Sequence, residues 1–320
     1  MGHTFTDLPD VASRALGGSV VHANDELFAA KENLVTPAPP VHDPTAFGPR
    51  GKVYDGWETR RRRTPGHDEA IVRLGTRAEV HGVVVDTAYF VGNYPPRVGI
   101  DGVDLPGYPS VEELLEADWQ PLVPVTDIKG DTANELAVDA PATCTHVRLT
   151  LHPDGGVARL RVHGLARPDP ALLTGTIDLA ALENGGDVVD CSDAFYASAR
   201  NLLLPGRART TAEGWENARR RDGGNDHVTV RLAGPGTVRR LVLDTTCFLG
   251  NTPGEAMVRG RQGEHGDWVT LLSRTRLQPD TRHVFPVAPG ASGVAVDHVR
   301  LDVYPDGGLA RFRVLGELTG

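Results

Sequence analysis

The chain has 320 residues, of which 40% are hydrophobic and 23% charged, and it contains 37 Gly and 24 Pro. This length suggests two domains, and the many Gly and Pro residues favour short strands joined by turns over long helices. The formal net charge of −9 argues against nucleic-acid binding, which depends on a basic surface, and no run approaches the roughly 18 apolar residues of a membrane span.

A composite motif occurs twice in the sequence. The first copy is Asp55-Gly-Trp-Glu-Thr-Arg-Arg-Arg-Arg63, and the second is Glu213-Gly-Trp-Glu-Asn-Ala-Arg-Arg-Arg221. A string of this length, with Trp, Glu and an arginine run in fixed order, is not expected to recur by chance. The sequence therefore predicts a tandem duplication, with a first repeat at residues 1–166, a stiff linker at 167–170 and a second repeat at 171–320.

The predicted elements follow the same order in both repeats. Each repeat begins with a Gly-Gly-x-Val-Val segment, at residues 17–21 and again at 185–189. In the first repeat, residues 36–49 form a Pro-rich loop that the second repeat mostly lacks. Two β-branched runs after the tryptophan motif, 70–74 and 83–86, are predicted to be strands, and the second run leads into a Gly-Asn turn.

Residues 111–119 form the one predicted helix, with Ser110 as its N-cap, and the second repeat has no equivalent. Each repeat then ends in two alternating runs around a Pro-Asp-Gly-Gly turn, which in the first repeat are 147–151 and 158–162. Because Asp-Gly between alternating runs is a strong hairpin signal, these runs are predicted to pair with each other. Together the elements predict an all-β fold of two tandem jelly-roll-like (galactose-binding-like) antiparallel β-sandwich domains.

The predicted hairpin places Arg148 opposite Arg161 on one sheet face, and Arg159 lies on the same face. Opposed like charges are destabilising, so these arginines need anions nearby. The commoner arrangement is pairing with the protein's own Asp and Glu on a solvated face. The alternative is a carboxylate substrate, which the planar fork of arginine can bind through two hydrogen bonds. The candidate substrate-binding residues are therefore Arg61, Arg148, Arg159 and Arg161.

Three residues are candidates for proton transfer. Glu58 follows a tryptophan that is expected in the core. Its carboxylate is therefore expected either to form a buried ion pair or to act as an acid or base. His67 becomes Asn225 in the second repeat, so any role that it has in proton transfer exists in one repeat only. Asp86 closes an apolar strand and is therefore placed at the rim of a pocket.

The sequence shows no motif for a metal or an organic cofactor. Its 12 histidines include no compact ligand spacing such as His-x-x-x-His, and we find no Walker, nucleophile-elbow or dinucleotide motif. Cys144, Cys191 and Cys247 fall where the other repeat has no Cys, which fits a reducing compartment better than a disulfide framework. Residues 1–7 lack the features of a signal peptide. We expect a cytoplasmic protein without a cofactor, although the sequence leaves a divalent metal open.

Several longer motifs carry a resemblance to a known family. They are Leu16-Gly-Gly18 through Glu32-Asn-Leu34, the Asp55–Arg63 string, Gly66-His-Asp68, Asp86-Thr-Ala-Tyr-Phe-Val-Gly-Asn-Tyr-Pro-Pro96, His146-Val-Arg-Leu149 and Pro153-Asp-Gly-Gly-Val-Ala-Arg-Leu-Arg-Val162. With these motifs the chain resembles the allantoicases over nearly its whole length. The resemblance implies hydrolysis of allantoate to ureidoglycolate and urea in purine degradation, two jelly-roll-like modules and a homo-oligomer.

The sequence departs from the family pattern at Glu69 and His227, where the family usually has Trp after the Asp. It also has Asn217-Ala218 where Thr-Arg is expected in the second repeat. These departures favour the first repeat as the catalytic one.

Expelling urea from allantoate requires an acid at the leaving nitrogen, a base for water and a cation that holds the carboxylate. Glu58, His67 or Asp86 could transfer the protons, and the arginines could hold the carboxylate. Two other functions stay open on the sequence alone. One is a non-catalytic tandem β-sandwich that binds a small ligand or carbohydrate, and the other is a hydrolase of a related ureido or guanidino acid.

Overall fold

The computed structural model describes residues 4–49 and 51–319, so Met1–His3 of the N-terminal segment considered above lie outside the described residues. The chain divides into two compact units between Arg167 and Pro168. The predicted all-β fold with two tandem units is confirmed, because strands dominate each unit and the helices are short. No helix in the described ranges is long and apolar enough to cross a membrane.

The first unit contains ten strands and one α-helix among its described residues. The strands are β1 (Ser19–Ala23), β2 (Phe47–Gly48), β3 (Gly51–Lys52), β4 (Trp57–Glu58), β5 (Asp68–Asp86), β6 (Arg97–Val103), β7 (Gln120–Asp127), β8 (Ala133–His152), β9 (Gly156–Val157) and β10 (Arg159–Ala166). The α-helix is α1 (Val111–Leu115), and short 3₁₀ helices span Phe5–Asp7, Arg14–Leu16 and Lys31–Val35.

The second unit repeats the main strands of this order, without counterparts of β2, β3 and the α-helix among its described residues and with an added short strand at Ile177–Asp178. Its strands are β11 (Ile177–Asp178), β12 (Asp187–Cys191), β13 (Trp215–Glu216), β14 (Asp226–Asp244), β15 (Glu255–Arg261), β16 (Val269–Arg276), β17 (Arg282–Pro286), β18 (Ala295–Tyr304), β19 (Gly308–Leu309) and β20 (Arg311–Leu318). Its 3₁₀ helices span Pro170–Leu172, Leu182–Asn184, Ala199–Leu203, Thr211–Glu213 and Pro289–Ala291. The last of these separates β17 from β18, which together correspond to the single strand β8.

Two long antiparallel strands, β5 and β8, organise the first unit. Their register shifts where residues 74–77 of β5 face only Thr145 of β8. Extra residues on one strand bend and twist a sheet, so both strands fold over at this point. The first half of β5 pairs with β1, and its second half pairs with β10. The sheet is therefore bent, and its two parts form two layers. The two predicted strands 70–74 and 83–86 are therefore the two halves of one strand.

The predicted hairpin at the end of each repeat is wrong. Strand β8 pairs with β5 and β6, whereas β10 pairs with β5 on its other edge, so β8 and β10 are not partners. Arg148 and Arg161 consequently do not face each other. The Pro-Asp-Gly-Gly segment between the two strands instead leads into β9, which pairs with β4. The second unit has the same arrangement, since β18 and β20 both pair with β14.

The predicted helix forms only over Val111–Leu115. Ser110 caps it as expected, because its Oγ accepts a hydrogen bond from the Glu113 amide while the Glu113 carboxylate accepts one from the Ser110 amide. Leu114 packs against Ile71 and Val103, so the helix covers the outer face of the sheet there. The second unit has seven residues (262–268) between the equivalent strands where the first has sixteen (104–119), and no helix covers that face.

The contact between Gly156 and Phe90 gives a test of this packing. A methyl group on Gly156 would lie 2.1 Å from Phe90 Cε1, and Phe90 is fully buried. We expect Gly156→Ala to lower the free energy of unfolding, measured with urea, by about 1–3 kcal/mol, because overpacking strains a filled core. Gly92→Ala is the matched control, since its methyl group meets nothing within 4 Å. Equal effects of the two variants would contradict this description of the loop.

Candidate functional site

A cavity of about 570 Å³ opens in the first unit beside the tryptophan motif. Four segments contribute to its wall: the turn after β1, the motif itself, the Gly-Asn turn and the Pro-Asp-Gly-Gly segment. The lining residues are Phe28, Glu58, Thr59, Arg61, Arg62, Gly92, Asn93, Tyr94, Pro96, Pro153, Asp154 and Gly155. Because each segment holds part of a motif found in the sequence, the cavity is the candidate functional site.

Trp57 anchors the motif to the core. Its side chain is fully buried, and its Nε1 donates a 2.8 Å hydrogen bond to the backbone oxygen of Asp25. The next residue, Glu58, is held by its backbone on both sides, because it forms a β-bridge with Ala29 and pairs with Gly156 of β9. The backbone beneath the Glu58 carboxyl is therefore fixed at the wall of the cavity.

The Glu58 carboxyl is half-buried and accepts a 2.7 Å hydrogen bond at Oε1 from Asn93 Nδ2. Burial raises the pKa of Glu58, and the hydrogen bond from Asn93 offsets this only in part. No described basic side chain contributes to the pKa of this carboxyl. A carboxyl whose pKa is raised and whose position is fixed in a cleft is suited to take up and release protons.

Two arginines of the motif line the cavity, and they differ in their partners. Arg62 forms a 2.5 Å ion pair with the buried Asp68, and its backbone amide donates to the Asp154 carboxylate. Arg61 is exposed and forms no ion pair with any residue in the described ranges. Arg62 therefore links two segments of the wall, whereas the guanidinium of Arg61 is available to a ligand.

His67 lies outside the lining of the cavity. Its ring packs on His152 with 5.0 Å between the ring centroids, and its Nε2 is 3.9 Å from Glu69 Oε2. The pKa of His152 is lowered by burial and by the neighbouring His67 and Arg97. The structure thus pairs His67 with His152, and His152 directly precedes Pro153 of the cavity wall.

Asp86 and Arg148 are engaged away from the cavity. Asp86 Oδ1 accepts a 2.8 Å hydrogen bond from the amide of Ala88, so the carboxylate caps the turn after β5. Arg148 donates to Asp101, at 2.9 Å, and its guanidinium lies 4.9 Å from the centre of the Trp119 ring. Neither side chain lines the cavity.

Arg159 and Arg161 hold the Pro-rich loop against β10. Arg159 is only 1% exposed and forms a 2.7 Å ion pair with Asp55. Arg161 donates to the backbone oxygen of Thr36 at 2.7 Å, and burial lowers its pKa. Of the seven residues predicted from the sequence, the structure brings Glu58 and Arg61 to the cavity; Arg148, Arg159 and Arg161 have protein partners instead.

Sequence reasoning missed Asn93, Tyr94 and Asp154. The Gly-Asn dipeptide by itself predicts only a turn, yet Asn93 recurs as Asn251 in the second repeat. In the structure Asn251 donates a hydrogen bond to Glu216, as Asn93 does to Glu58. The joint recurrence of the Glu and the Asn was the signal that could have identified the pair.

The second unit preserves the frame of the site but changes its polar groups. Asn217 replaces Thr59, and its Oδ1 accepts from the Gly307 amide at 2.7 Å as Thr59 Oγ1 accepts from Gly155 at 3.2 Å. The ion pair between Arg60 and Asp25 has no counterpart, because Ala218 stands in place of Arg60. A separate cavity of about 510 Å³ in this unit is lined by Asp222, Gly223, Gly224, Asn225, Gly254, Glu255, Arg274, Arg276, Tyr304 and Pro305.

No group of three or more His, Cys, Asp and Glu side chains within residues 4–49 and 51–319 is arranged to hold a metal ion. All three cysteines are free, and burial raises the pKa of the Cys144 and Cys191 thiols to about 11. Thiols with such pKa values stay protonated near neutral pH and are weak nucleophiles.

Comparison with known proteins gives consistent matches. The family model described as Allantoicase repeat matches residues 9–167 and again residues 177–319. A probable allantoicase from Nocardia farcinica is 56% identical over 99% of this chain and 96% of its own length, and one from Streptomyces coelicolor is 49% identical over 98% and 87%. A crystal structure of allantoicase from Saccharomyces cerevisiae superposes with a TM-score of 0.83 at 34% identity, covering 97% of this chain and 93% of that one.

Proposed function

The chain belongs to the allantoicase family, and we propose that the cavity beside Glu58 is where it hydrolyses allantoate to ureidoglycolate and urea in purine degradation. The activity follows from the family, whereas the assignment to this cavity is ours. One observation carries the assignment: a carboxyl with a raised pKa, Glu58, and an arginine with no carboxylate partner among the described residues, Arg61, line the same cavity.

The reaction defines what the site must supply. Allantoate carries one carboxylate and two ureido groups on a single carbon. Hydrolysis breaks the bond between this carbon and one ureido nitrogen, and a bond forms between the same carbon and the oxygen of water. Water gives up one proton and the departing nitrogen gains one, so a single group that accepts and then returns a proton balances the reaction.

Glu58 is that group in our proposal. Its ionised carboxylate accepts the proton of the attacking water, and the carboxylic acid formed then protonates the leaving nitrogen of urea. Asn93 is a positioning residue, because its hydrogen bond fixes Oε1 of the carboxyl. Arg61 binds the substrate carboxylate through its planar fork of donors. Arg62 keeps the wall in place through Asp68 and Asp154 and need not touch the substrate.

We place the reaction in the first repeat. The second repeat keeps the hydrogen-bonded pair of Glu216 and Asn251, but Thr252 replaces Tyr94 in the wall and Ala218 replaces Arg60. These differences support a catalytic role for the first repeat, and the second repeat retains only the strands and the Glu-Asn pair that surround the site.

Urea release from allantoate by the purified chain tests the activity directly. Assays with and without an added divalent cation, and with guanidinoacetate in place of allantoate, test the metal requirement and the substrate class. Absence of urea from allantoate under every condition would contradict the assignment of this activity to the chain.

A comparison of Glu58→Gln with Glu216→Gln tests which of the two repeats is catalytic. We expect Glu58→Gln to lower kcat by about 10²- to 10⁴-fold, because it removes the proton-transferring group. Glu216→Gln should leave kcat within about threefold of the wild type. Both variants are checked for folding by thermal unfolding. Equal losses in two folded variants would show that both repeats contribute to catalysis.

Arg61→Gln tests carboxylate binding. We expect KM for allantoate to rise about 10- to 100-fold, because a charge-assisted hydrogen bond contributes about 1.5–3 kcal/mol. Arg219→Gln is the matched control, since Arg219 is the exposed equivalent in the second repeat. An unchanged KM for Arg61→Gln would rule out this arginine as the carboxylate ligand.

Asn93→Ala tests the link between Asn93 and the pKa of Glu58. The hydrogen bond favours the ionised carboxylate and lowers its pKa, so removing Asn93 raises the pKa further. Because Glu58 must be ionised to accept a proton from water, the acid limb of the kcat/KM profile should move to higher pH. Asn251→Ala should leave the profile unchanged. An acid limb that stays in place in Asn93→Ala would exclude Glu58 as its source.

We also propose that the protein acts as a cytoplasmic homo-oligomer, as its family resemblance implies. Its three free cysteines suit a reducing compartment. Large apolar side chains are exposed in both units, including Phe47, Val91 and Leu249, each at least 70% exposed, and such side chains are common at subunit interfaces. Light scattering during size-exclusion chromatography measures the oligomeric state.

A further inference from the structure

The outer face of the sheet in the second unit carries an arginine cluster that the proposed reaction does not use. It consists of Arg231 on β14, Arg259 and Arg261 on β15, and Arg300 on β18. Arg259 lies directly opposite Arg300 in the ladder, and His298 stands between Arg231 and Arg261. Successive side chains of a strand point to opposite faces of the sheet, and the residues that flank these arginines within the strands are buried in the core. All four arginines therefore lie on the other, outer face.

One buried carboxylate neutralises part of this cluster. Asp302 is 1% exposed and accepts hydrogen bonds from Arg259, at 2.8 Å, and from Arg300, at 3.0 Å. Burial acts to raise the pKa of Asp302, but the hydrogen bonds from the two arginines outweigh it and the pKa is lowered. Asp302 therefore stays ionised, and a single negative charge is shared by two guanidinium groups.

The other two arginines have no carboxylate partner within the described part of the chain. Asp187, which lies opposite Arg231 in the ladder, is bound by Arg200 at 2.6 Å. Arg261 stacks on Trp268, with its guanidinium 4.7 Å from the ring centre. The cluster thus carries more positive than negative charge.

Unsatisfied donors accompany the excess charge. The Nε atoms of Arg259 and Arg261 are both buried and have no hydrogen-bond partner among the described residues. Buried donors without acceptors and like charges placed opposite each other both destabilise a folded protein. An anion that bridges the guanidinium groups would relieve the two effects together.

The first unit has different residues on the corresponding face. Its ladder places Asp101 where the second unit has Arg259, and Val103 where it has Arg261. Asp101 neutralises Arg148, and Val103 packs beneath the helix α1 through Leu114. In the first unit this face therefore has a carboxylate beside Arg148 and is covered by a helix, whereas in the second unit arginines stand at the two corresponding positions and no described helix covers the face.

We propose that this face of the second repeat binds a small metabolite with two anionic groups, either phosphates or carboxylates. The cluster spans three neighbouring strands, a width of about 10 Å, which suits two oxyanion groups better than a long polyanion. Arginine forks match both kinds of group through paired hydrogen bonds. The site is separate from the cavity beside Glu58, since none of its residues lines that cavity.

Calorimetric titration of the intact protein tests the proposal. Pyrophosphate and succinate are titrated separately at constant ionic strength, and the tighter of the two identifies the anionic group. We expect saturable binding to the wild type and an affinity at least about tenfold lower in Arg231→Gln/Arg261→Gln. Arg73→Gln, the first-repeat equivalent of Arg231, is the matched control and should bind as the wild type does.

Two further measurements guard against misfolding and against another ligand. Without anion, the double variant should unfold at the same temperature as the wild type or higher, because it lowers the repulsion, and its allantoate turnover should be unchanged. The proposal is overturned if neither pyrophosphate nor succinate binds saturably, or if the double variant binds them as the wild type does. If anion binding by the double variant is unchanged and the variant also loses its oligomeric state, the face is instead a contact with an acidic surface of a second copy.

Discussion

The short pairing of Trp57–Glu58 with Gly156–Val157 is the contact on which the site depends. It joins the repeated motif to the segment that follows β8, and it is possible only because Gly156 leaves room for the buried ring of Phe90. The same pairing recurs between Trp215–Glu216 and Gly308–Leu309, where Gly308 faces Phe248. In both units a buried tryptophan thus supports a glutamate whose backbone cannot shift, and this fixed backbone allows one asparagine to set the position of the carboxyl.

The many arginines of the motif regions have different tasks, and burial separates them. Arg159 is buried because it joins β10 to the tryptophan motif through Asp55 and to the Pro-rich loop through the backbone oxygen of Ala38, and Arg62 joins two walls of the cavity through Asp68 and Asp154. Removing such a partner would leave a buried charge unpaired, so these arginines are required for the fold whatever the substrate. Arg61, by contrast, is exposed and free to exchange water for a ligand. A charged residue in a repeated motif is therefore informative about binding only once its partners are known.

Duplication gave the chain two copies of one strand frame, and the copies then diverged at different places. The first unit has a covering helix and an acidic residue, Asp101, against Arg148, and in its cavity Asn93 holds Glu58 by a hydrogen bond. The second unit has the equivalent pair of Glu216 and Asn251, but among its described residues no helix covers the sheet, and Arg259 and Arg261 stand on the exposed face. Since the strands carry the stability in both, each unit could change its surface without changing its fold.

The sequence by itself determined the duplication, the all-β class, the cap at Ser110 and the family, because each is written in local motifs, in spacing or in long ordered strings. Of the residues that it singled out, Glu58 and Arg61 line the cavity beside the motif around Trp57. It predicted the wrong partner for β8, because an Asp-Gly turn reports only the local chain direction, whereas pairing was decided by the bend in β5, which offers a separate edge to β8 and to β10. Only the tertiary structure could show that Asn93 meets Glu58 from 35 positions away and that Arg148, Arg159 and Arg161 have partners in the protein. Burial and long-range contacts set the pKa of a carboxyl and the availability of an arginine, and neither is encoded in the residues next to it.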